Sequence, residues 1–346
     1  MIRLMKKATS IIFVFVIIIA GGYLTYQAIF NPIIISFKPT QQPSVTPMRG
    51  ISMQKIGGNG KLLWSPTKSI IAGSISLLPS CPDWWCAFSS RQSEVFIVDL
   101  ETTEKKTIFT TEKSGASVIG WSSDGQKVLF NPEWGDLKTG VWAVSIDGQT
   151  PPEFVNEYSF SSWSPDGSRI ANVDSIGESG AWYPVIDIMD LQTKQKERVF
   201  KSQIAMSNIL SISWSSDSQQ LVFTYGEIGS DVPSNRKPVV YFLQLETGEV
   251  IQATGHEFEY WDAIFSPKDD LIAFEEKHES IDGRIVIRDL GHNCQIMLPV
   301  KNVSSLGSWS SDGTKLVIAA YGDYDYIINL REFLGFDFQK TGTICP

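Results

Sequence analysis

The chain has 346 residues, a formal net charge of −9 at pH 7 and 12% aromatic residues, 11 of them Trp. This length is enough for one large domain or two ordinary ones, and the composition is that of a globular protein. Phosphate recognition needs a basic surface, and no run of Lys and Arg offsets the acidic balance. The sequence therefore argues against nucleic-acid binding.

The N-terminal residues predict a membrane anchor. Residues 1–8 form a basic segment, and residues 9–37 form an apolar signal-anchor region without a charged side chain. Within it, residues 11–30 supply the roughly 20 apolar positions that a spanning helix needs. Because the cations precede the apolar stretch, we expect the N-terminus in the cytoplasm and the rest of the chain outside it.

A cleaved signal peptide is the alternative, and it would make the protein secreted. Residues 11–19 resemble the apolar part of a signal, and Ala20 and Gly22 are small residues of the kind that precede a cleavage site. Cleavage would leave the apolar residues 28–37 in water, which favours the anchor. The following residues 38–50 are Pro-rich and polar, and they predict an extended linker.

Six copies of one short motif follow the linker. The clearest copy is WSPDG at 163–167, and each copy has an aromatic residue, a Ser, a polar turn and an apolar run. The copies begin at Trp64, Trp121, Trp163, Trp214, Phe265 and Trp309. A second pattern of strand, polar turn and strand follows each copy. These second patterns begin at Glu94, Gly140, Pro184, Pro238, Arg284 and Tyr326.

The two patterns together predict about four strands in each unit, in meander order. A single four-stranded unit cannot bury both faces of its sheet, whereas six units packed radially can. The predicted fold class is therefore all-β. It is a six-bladed β-propeller of four-stranded antiparallel blades over residues 51–346, preceded by one N-terminal transmembrane helix.

The residues of the motif have structural roles in this prediction. The aromatic residue ends the innermost strand and packs between blades, the Asp accepts backbone N–H bonds in the turn, and the Gly adopts a positive φ. Two copies depart from the pattern, with residues 67–69 in the first and residues 268–270 in the fifth replacing the usual turn. Both are still expected to form hairpins.

WSPDGSRIA and its five relatives resemble the TolB-type, WD-like propeller repeat. The resemblance covers about residues 52–340 and implies the propeller fold, but it implies no catalytic residue. Two ways of closing the ring remain open. Residues 51–57 could pair with the last blade, or residues 336–341 could supply its fourth strand.

Cysteine usage fits an oxidising compartment. Cys81 and Cys86 are close enough in sequence to close a small loop by a disulfide. They could instead be half of a metal site, although no second Cys or His pair is near them in the sequence. Cys294 and Cys345 are the remaining possible pair.

The sequence offers little sign of chemistry. It contains no G-x-S-x-G elbow, no H-E-x-x-H motif and no Gly-rich phosphate loop. The Ser and Asp of the repeat occur in too many copies to form one active site. We therefore assign no catalytic residue and no cofactor. His256, His278 and Glu276 could in principle meet, but His in acidic loops is commonly only solvated, so no metal is favoured.

The longer, irregular loops are predicted on the disc face opposite the motif turns, where they combine acidic and aromatic residues. The partner-binding candidates there are Trp84, Trp85, Trp134, Trp182, Tyr183, Glu276, Asp323 and Tyr324. Such side chains suit contact with a protein or an envelope glycan, although the rings could simply cover the blade tops.

Three functions are compatible with these observations. The first is a membrane-anchored, extracytoplasmic and non-enzymatic scaffold that binds an envelope protein or glycan. The second is a propeller-based polysaccharide lyase or hydrolase with a carboxylate or metal site on the loop face. The third is a structural module of a larger envelope complex.

Overall fold

The computed structural model describes residues 52–57, 61–77, 92–112, 115–132, 137–158, 160–228, 232–256, 258–268, 271–277, 283–290, 294–298, 300, 303–320 and 324–330. The predicted N-terminal segments, Cys81 and Cys86 lie outside these residues. Within them, no helix is long and apolar enough to cross a membrane. One short 3₁₀ helix, Ser234–Arg236, is the helical element of this part of the chain.

The described residues are organised almost entirely into strands. In chain order these are β1 (Ser52–Gly57), β2 (Leu63–Trp64), β3 (Ile70–Leu77), β4 (Gln92–Asp99), β5 (Lys105–Thr111), β6 (Ala116–Trp121), β7 (Lys127–Pro132), β8 (Val141–Ser145), β9 (Glu153–Asn156), β10 (Phe160–Trp163), β11 (Arg169–Glu178), β12 (Ala181–Asp190), β13 (Lys196–Lys201), β14 (Asn208–Trp214), β15 (Gln220–Gly226), β16 (Val239–Gln244), β17 (Val250–Gln252), β18 (Glu259–Phe265), β19 (Leu271–Lys277), β20 (Gly283–Asp289), β21 (Cys294–Met297), β22 (Val303–Trp309), β23 (Lys315–Ala320) and β24 (Tyr324–Asn329).

The strands form five antiparallel sheets. Strands β2–β5, β6–β9, β10–β13 and β14–β17 each make a four-stranded sheet in chain order. The fifth sheet has eight strands and consists of two four-stranded sets, β18–β21 and β22–β24 with β1. One residue pair, Gly283 with Val303, connects these two sets. The predicted all-β class and the meander order are confirmed.

The first strand of each four-stranded set lies innermost. Strands β2, β6, β10, β14, β18 and β22 each contact the first strands of the two neighbouring sets, which makes a closed ring. Strand β1 completes the last set, because it pairs antiparallel with β24 from Ser52 opposite Asn329 to Gly57 opposite Tyr324. The first of the two predicted ways of closing the ring is therefore the one observed. Residues 336–341 lie outside the described residues.

The core lies between the sheets, and the second strand of each set is buried on both faces. On β15, Leu221 and Phe223 pack against the preceding sheet, while Val222 packs against the following one. This double burial explains why these strands read as continuous apolar runs rather than as alternating patterns. Removing a fully buried side chain such as Phe223 would cost about 3–5 kcal/mol.

The motif turns have the predicted geometry. In the third copy, Ser164 Oγ donates to Asp166 Oδ1 (2.6 Å), and the same carboxylate oxygen accepts the Ser168 N–H (2.9 Å). Gly167 has a φ of 74°, in the left-handed region that favours glycine. The Asp and Gly of the repeat are therefore explained by the turn, as the sequence predicted.

The motif tryptophans also act structurally. Trp121 Nε1 donates to the carbonyl oxygen of Leu63 in the preceding unit (2.9 Å), and Trp214 Nε1 donates in the same way to Ser162 (2.9 Å). Each indole thus packs between two sheets and joins them by a hydrogen bond. The predicted packing of these rings between blades is confirmed.

One region differs from the sequence-based expectation. The sequence predicts an irregular loop over residues 174–184, but these residues continue β11 and β12 as a paired hairpin up to Glu178 opposite Ala181. Ser179 and Gly180 have φ values of 51° and 81°, which allow a tight two-residue turn. The polar residues in this segment are typical of a loop, so the sequence did not predict strands there.

Candidate functional site: a cavity on the ring axis

The ring of inner strands encloses a cavity of about 430 Å³. Its wall is built from equivalent positions of all six repeat units, because each unit contributes the end of its inner strand and the start of its motif turn. The site therefore arises from the repeat itself and belongs to no single unit.

The turn-side end of the cavity is surrounded by the residues two positions after each motif aromatic. They are Pro66, Ser123, Pro165, Ser216, Pro267 and Ser311. Pro and Ser alternate around the ring, so this end is uncharged and combines rigid apolar rings with hydroxyl groups. Five of these residues are exposed, and Ser123 is half-buried.

The middle of the wall carries small, hydroxyl and aliphatic residues. They are the residues immediately before each aromatic, namely Leu63, Gly120, Ser162, Ser213, Ile264 and Ser308. Ser308 Oγ accepts the Trp64 N–H (2.5 Å), and Ser213 Oγ accepts the Phe265 N–H (3.3 Å). These hydroxyls connect neighbouring inner strands, and each still has a proton that it can donate.

The opposite end of the cavity is charged. Lys61 Nζ lies 3.2 Å from Asp262 Oδ1, although the two residues are 201 positions apart in the sequence. Asp262 Oδ2 also accepts the Leu306 N–H (3.3 Å), which fixes the carboxylate to the wall. The side chain of Asp262 is 13% exposed and that of Lys61 33%, so the lysine is the more accessible member of the pair.

A buried carboxyl group lies next to this ion pair. Glu275 on β19 is 1% exposed, and its Oε1 lies 3.3 Å from Lys277 Nζ. Burial, assisted by the charge of Asp262, raises the pKa of Glu275 to about 7, although Lys277 and Lys61 oppose the rise. Lys277 Nζ in turn lies 4.2 Å above the Trp261 ring.

Half of the sequence-predicted binding and metal-site residues lie outside the described residues. These are Trp84, Trp85, Trp134, Asp323 and His278. Tyr324 begins β24, where its backbone pairs with Ala320 and Gly57.

Trp182 and Tyr183 lie on β12 near the tip of the long hairpin. The Trp182 side chain is 58% exposed, and its ring lies over Gly177 on the paired strand. The Trp182 carbonyl accepts the N–H of Met206, which is itself 67% exposed. Tyr183 is half-buried beneath Lys201. Trp182 and Met206 are therefore two exposed apolar residues whose backbones are joined by a hydrogen bond.

The acidic and histidine candidates have other surroundings. Glu276 is 4% exposed within β19 rather than on an exposed loop. His256 is half-buried, with its Nε2 3.3 Å from Gln252 Nε2. In the part of the chain that the structure describes, no group of three or more His, Cys, Asp or Glu could hold a metal ion.

Sequence reasoning missed the cavity because it directed attention to the opposite disc face. The available signal was the repeated Pro or Ser after each motif Ser, which marks a ring of equivalent positions. The Lys61–Asp262 pair had no such signal, since the two residues occur once each in different units.

No protein-family model and no curated protein matches the chain. Among solved structures, the chain is similar to TolB from Acinetobacter baumannii, with a TM-score of 0.55 and 16% identity. That match covers 75% of this chain and 63% of the TolB chain, so this chain spans less than two thirds of that protein. A chain in the crystal structure of the mitotic checkpoint complex is also similar, with a TM-score of 0.52 and 14% identity over 85% of this chain and 98% of the other. At these identities the likeness shows the fold, a TolB-like β-propeller.

Proposed function

We propose that this TolB-like β-propeller is a six-bladed, membrane-anchored, extracytoplasmic and non-enzymatic scaffold that binds a partner protein. A segment of the partner enters the axial cavity from the end where the motif turns lie. The single observation that carries this proposal is the cavity, to which all six repeat units contribute.

The count of six blades is supported by the ring of six inner strands. The eight-stranded sheet is counted as two blades because one residue pair, Gly283 with Val303, joins its two sets. Each set also begins with one copy of the motif, and the closing strand β1 gives the last set its fourth strand.

The chemistry of the cavity favours a polypeptide segment as its ligand. A volume of about 430 Å³ falls within the range of roughly 300–1,000 Å³ that is typical of ligand sites. Hydroxyl groups can bond the N–H and C=O groups of a bound chain, while the Pro and aromatic rings supply apolar contact. The two charged wall residues, Lys61 and Asp262, are paired with each other.

The anchored and extracytoplasmic location is supported by the uncharged apolar residues 9–37 after a basic N-terminus. N-terminal sequencing of the protein purified from membranes distinguishes the two alternatives. An intact N-terminus is expected for the anchor. A new terminus shortly after Ala20 or Gly22 would instead show a cleaved signal and a secreted protein.

Partner capture with the full-length chain tests the binding site. The double variant Ser216→Trp with Ser311→Trp fills the turn-side end of the cavity, and we expect it to lose the partner that the wild type retains. Gln192→Trp is the matched control, because it adds the same ring to an exposed turn of the same disc face away from the axis.

Two results would oppose this function. If the double variant retains the partner and Trp182→Ala loses it, the binding site lies on the opposite disc face. Turnover of an envelope polysaccharide by the purified chain would support the lyase or hydrolase alternative, and binding of a glycan without turnover would change the partner class.

A further inference from the structure

Four charged or ionisable side chains lie close together near the charged end of the axial cavity. Lys61 and Asp262 form the ion pair in the wall, and Glu275 and Lys277 form a second pair that interacts with it electrostatically. Two of the four are cations and two are acids. The protonation of Glu275 therefore decides whether this cluster has one positive charge in excess or none.

The carboxyl group of Glu275 is tightly enclosed. A side chain at Gly283 would come within 2.6 Å of Glu275 Oε1 and 2.8 Å of the Val303 carbonyl oxygen, so only glycine fits there without displacement. Leu271 and Ala273, on the same strand face as Glu275, pack in one core cluster with Val303. The group thus lies at the junction of the two sets of the eight-stranded sheet.

The described elements around Glu275 bring few other charges to it. Strand β22 has no ionisable side chain, and on β20 the residue opposite Glu275 is Ile285. Arg284 and Arg288 alternate to the other face of β20. On β18, Glu259 forms an ion pair with Lys237 (3.0 Å). Asp262 is the acid of β18 whose charge affects the pKa of Glu275.

Glu275 is therefore poised to change charge near neutrality, because burial raises its pKa to about 7. An ionised Glu275 would repel the carboxylate of Asp262 and attract both lysines. The contacts that would respond are the 3.2 Å pair between Lys61 and Asp262 and the 3.3 Å bond from the Leu306 N–H.

We propose that Glu275 is a proton switch that sets the charge and the hydrogen bonding at the charged end of the axial cavity. In its neutral form, Lys61 pairs with Asp262 alone and the cluster is cationic. In its ionised form, Glu275 competes with Asp262 for Lys61, and the contact between Asp262 and Leu306 weakens. If the proposed partner binds in this cavity, an acidic group of that partner is held more strongly below neutral pH.

Nuclear magnetic resonance on the full-length chain tests this directly. The reporter is the Leu306 amide, followed from pH 5.5 to pH 8.5. We expect its signal to titrate with a midpoint near the Glu275 pKa of about 7, and we expect Glu275→Gln to abolish that titration. Asp325→Asn is the matched control, since Asp325 is another buried acid (2% exposed) whose pKa burial raises to about 7.

Retention of the Leu306 titration in Glu275→Gln, or its loss in Asp325→Asn, would overturn the proposal. A second variant tests the same proposal if Glu275→Gln fails to fold. Lys61→Met removes a charge that lowers the pKa of Glu275, so the midpoint at Leu306 should move to higher pH. An unchanged midpoint in a folded Lys61→Met protein would equally contradict the switch.

This experiment needs no partner, so its outcome is separate from that of the partner-capture test. A Leu306 titration together with failed capture would leave the switch in place and remove the cavity as a binding site. Normal partner capture with a Leu306 amide that does not titrate would support the cavity as a binding site and remove the switch.

Discussion

Asp312 shows how the carboxylate of the repeat stabilises its turn. Ser310 Oγ donates to Asp312 Oδ1 (2.6 Å), and the Thr314 N–H donates to the same oxygen (3.0 Å). Partial burial opposes ionisation, but these hydrogen bonds outweigh it and lower the pKa of Asp312 from 3.8 to about 2. The ionised form is thus the one that the fold prefers.

Asp312→Ala should lower the free energy of unfolding by about 1 kcal/mol, since it removes net hydrogen-bond energy from one turn. A group whose pKa is lowered on folding stabilises the protein above its unfolded pKa and loses that effect as the pH falls through its folded pKa. The difference between wild type and variant should therefore be full at pH 6 and shrink toward pH 2.

Urea denaturation at pH 6 and pH 3 measures this difference. An Asp312→Ala protein as stable as the wild type at pH 6 would show that the Ser and Asp of the motif are not turn determinants.

The inner-strand tryptophans offer a comparison at the scale of elements. Trp121 and Trp214 donate from Nε1 to the preceding unit, whereas the buried Nε1 atoms of Trp163 and Trp309 have no hydrogen-bond partner among the described residues. Replacing Trp by Phe removes the donor in all four cases and leaves an aromatic ring.

We expect Trp121→Phe and Trp214→Phe to destabilise the protein by about 1 kcal/mol, because each removes a hydrogen bond that joins two neighbouring units. Trp163→Phe and Trp309→Phe remove a buried donor that has no partner among the described residues, so they should cost less. Thermal unfolding of the four variants measures both effects. Equal losses in all four would show that the tryptophans act by ring packing alone.

Strand β1 is expected to stabilise the protein because it closes the ring. Deleting residues 51–57 removes the whole antiparallel pairing with β24 and exposes an unpaired strand edge. We expect Tm to fall by more than about 5 °C, since a loss of several kcal/mol shifts Tm by a few degrees per kcal/mol. An unchanged Tm in the deletion variant would mean that β1 does not close the ring.

The strands and turns were largely predictable because the same local sequence pattern occurs six times. Turn residues such as Asp166 and Gly167 and the flanking apolar runs define each hairpin without distant information. The hairpin tip at 174–184 was not predictable, because Ser179 and Gly180 looked like loop residues although their positive φ values make a tight turn.

At the scale of the whole molecule, two buried acids make stability depend on pH. Burial raises the pKa of Glu275 from 4.5 to about 7 and that of Asp325 from 3.8 to about 7. Between these values the folded protein keeps protons that the unfolded chain releases. The free energy of unfolding contributed by these groups therefore falls as the pH rises from about 4 to about 7.

Glu275→Gln and Asp325→Asn should each flatten this part of the profile, because a tenfold change in the affinity of a carboxylate for its proton corresponds to about 1.4 kcal/mol. The measurement is urea denaturation at pH 5, 6, 7 and 8. Glu249→Gln, an exposed substitution in the turn between β16 and β17, is the control and should leave the profile unchanged. Profiles that remain parallel in all variants would contradict the assignment.

The candidate site was less predictable than the fold. The charged end of the cavity combines residues of three units, namely Lys61, Asp262 and Leu306. They come together only when the ring is closed, so no local sequence pattern predicts their contact. Glu275 occupies a position where other units carry small or neutral residues such as Ser74 and Thr224. Its burial depends on the packing of two neighbouring sets, which sequence spacing does not reveal.

Site-specific photo-cross-linking in intact cells tests whether a partner binds in the axial cavity. A diazirine analogue of leucine replaces Ile264, a half-buried residue of the cavity wall, with little change in size. The same analogue at Ile251, 43% exposed on the outer strand β17, is the control. We expect a covalent adduct with one protein from position 264 and none from position 251. Adducts from position 251 alone, or equal adducts from both positions, would contradict this expectation.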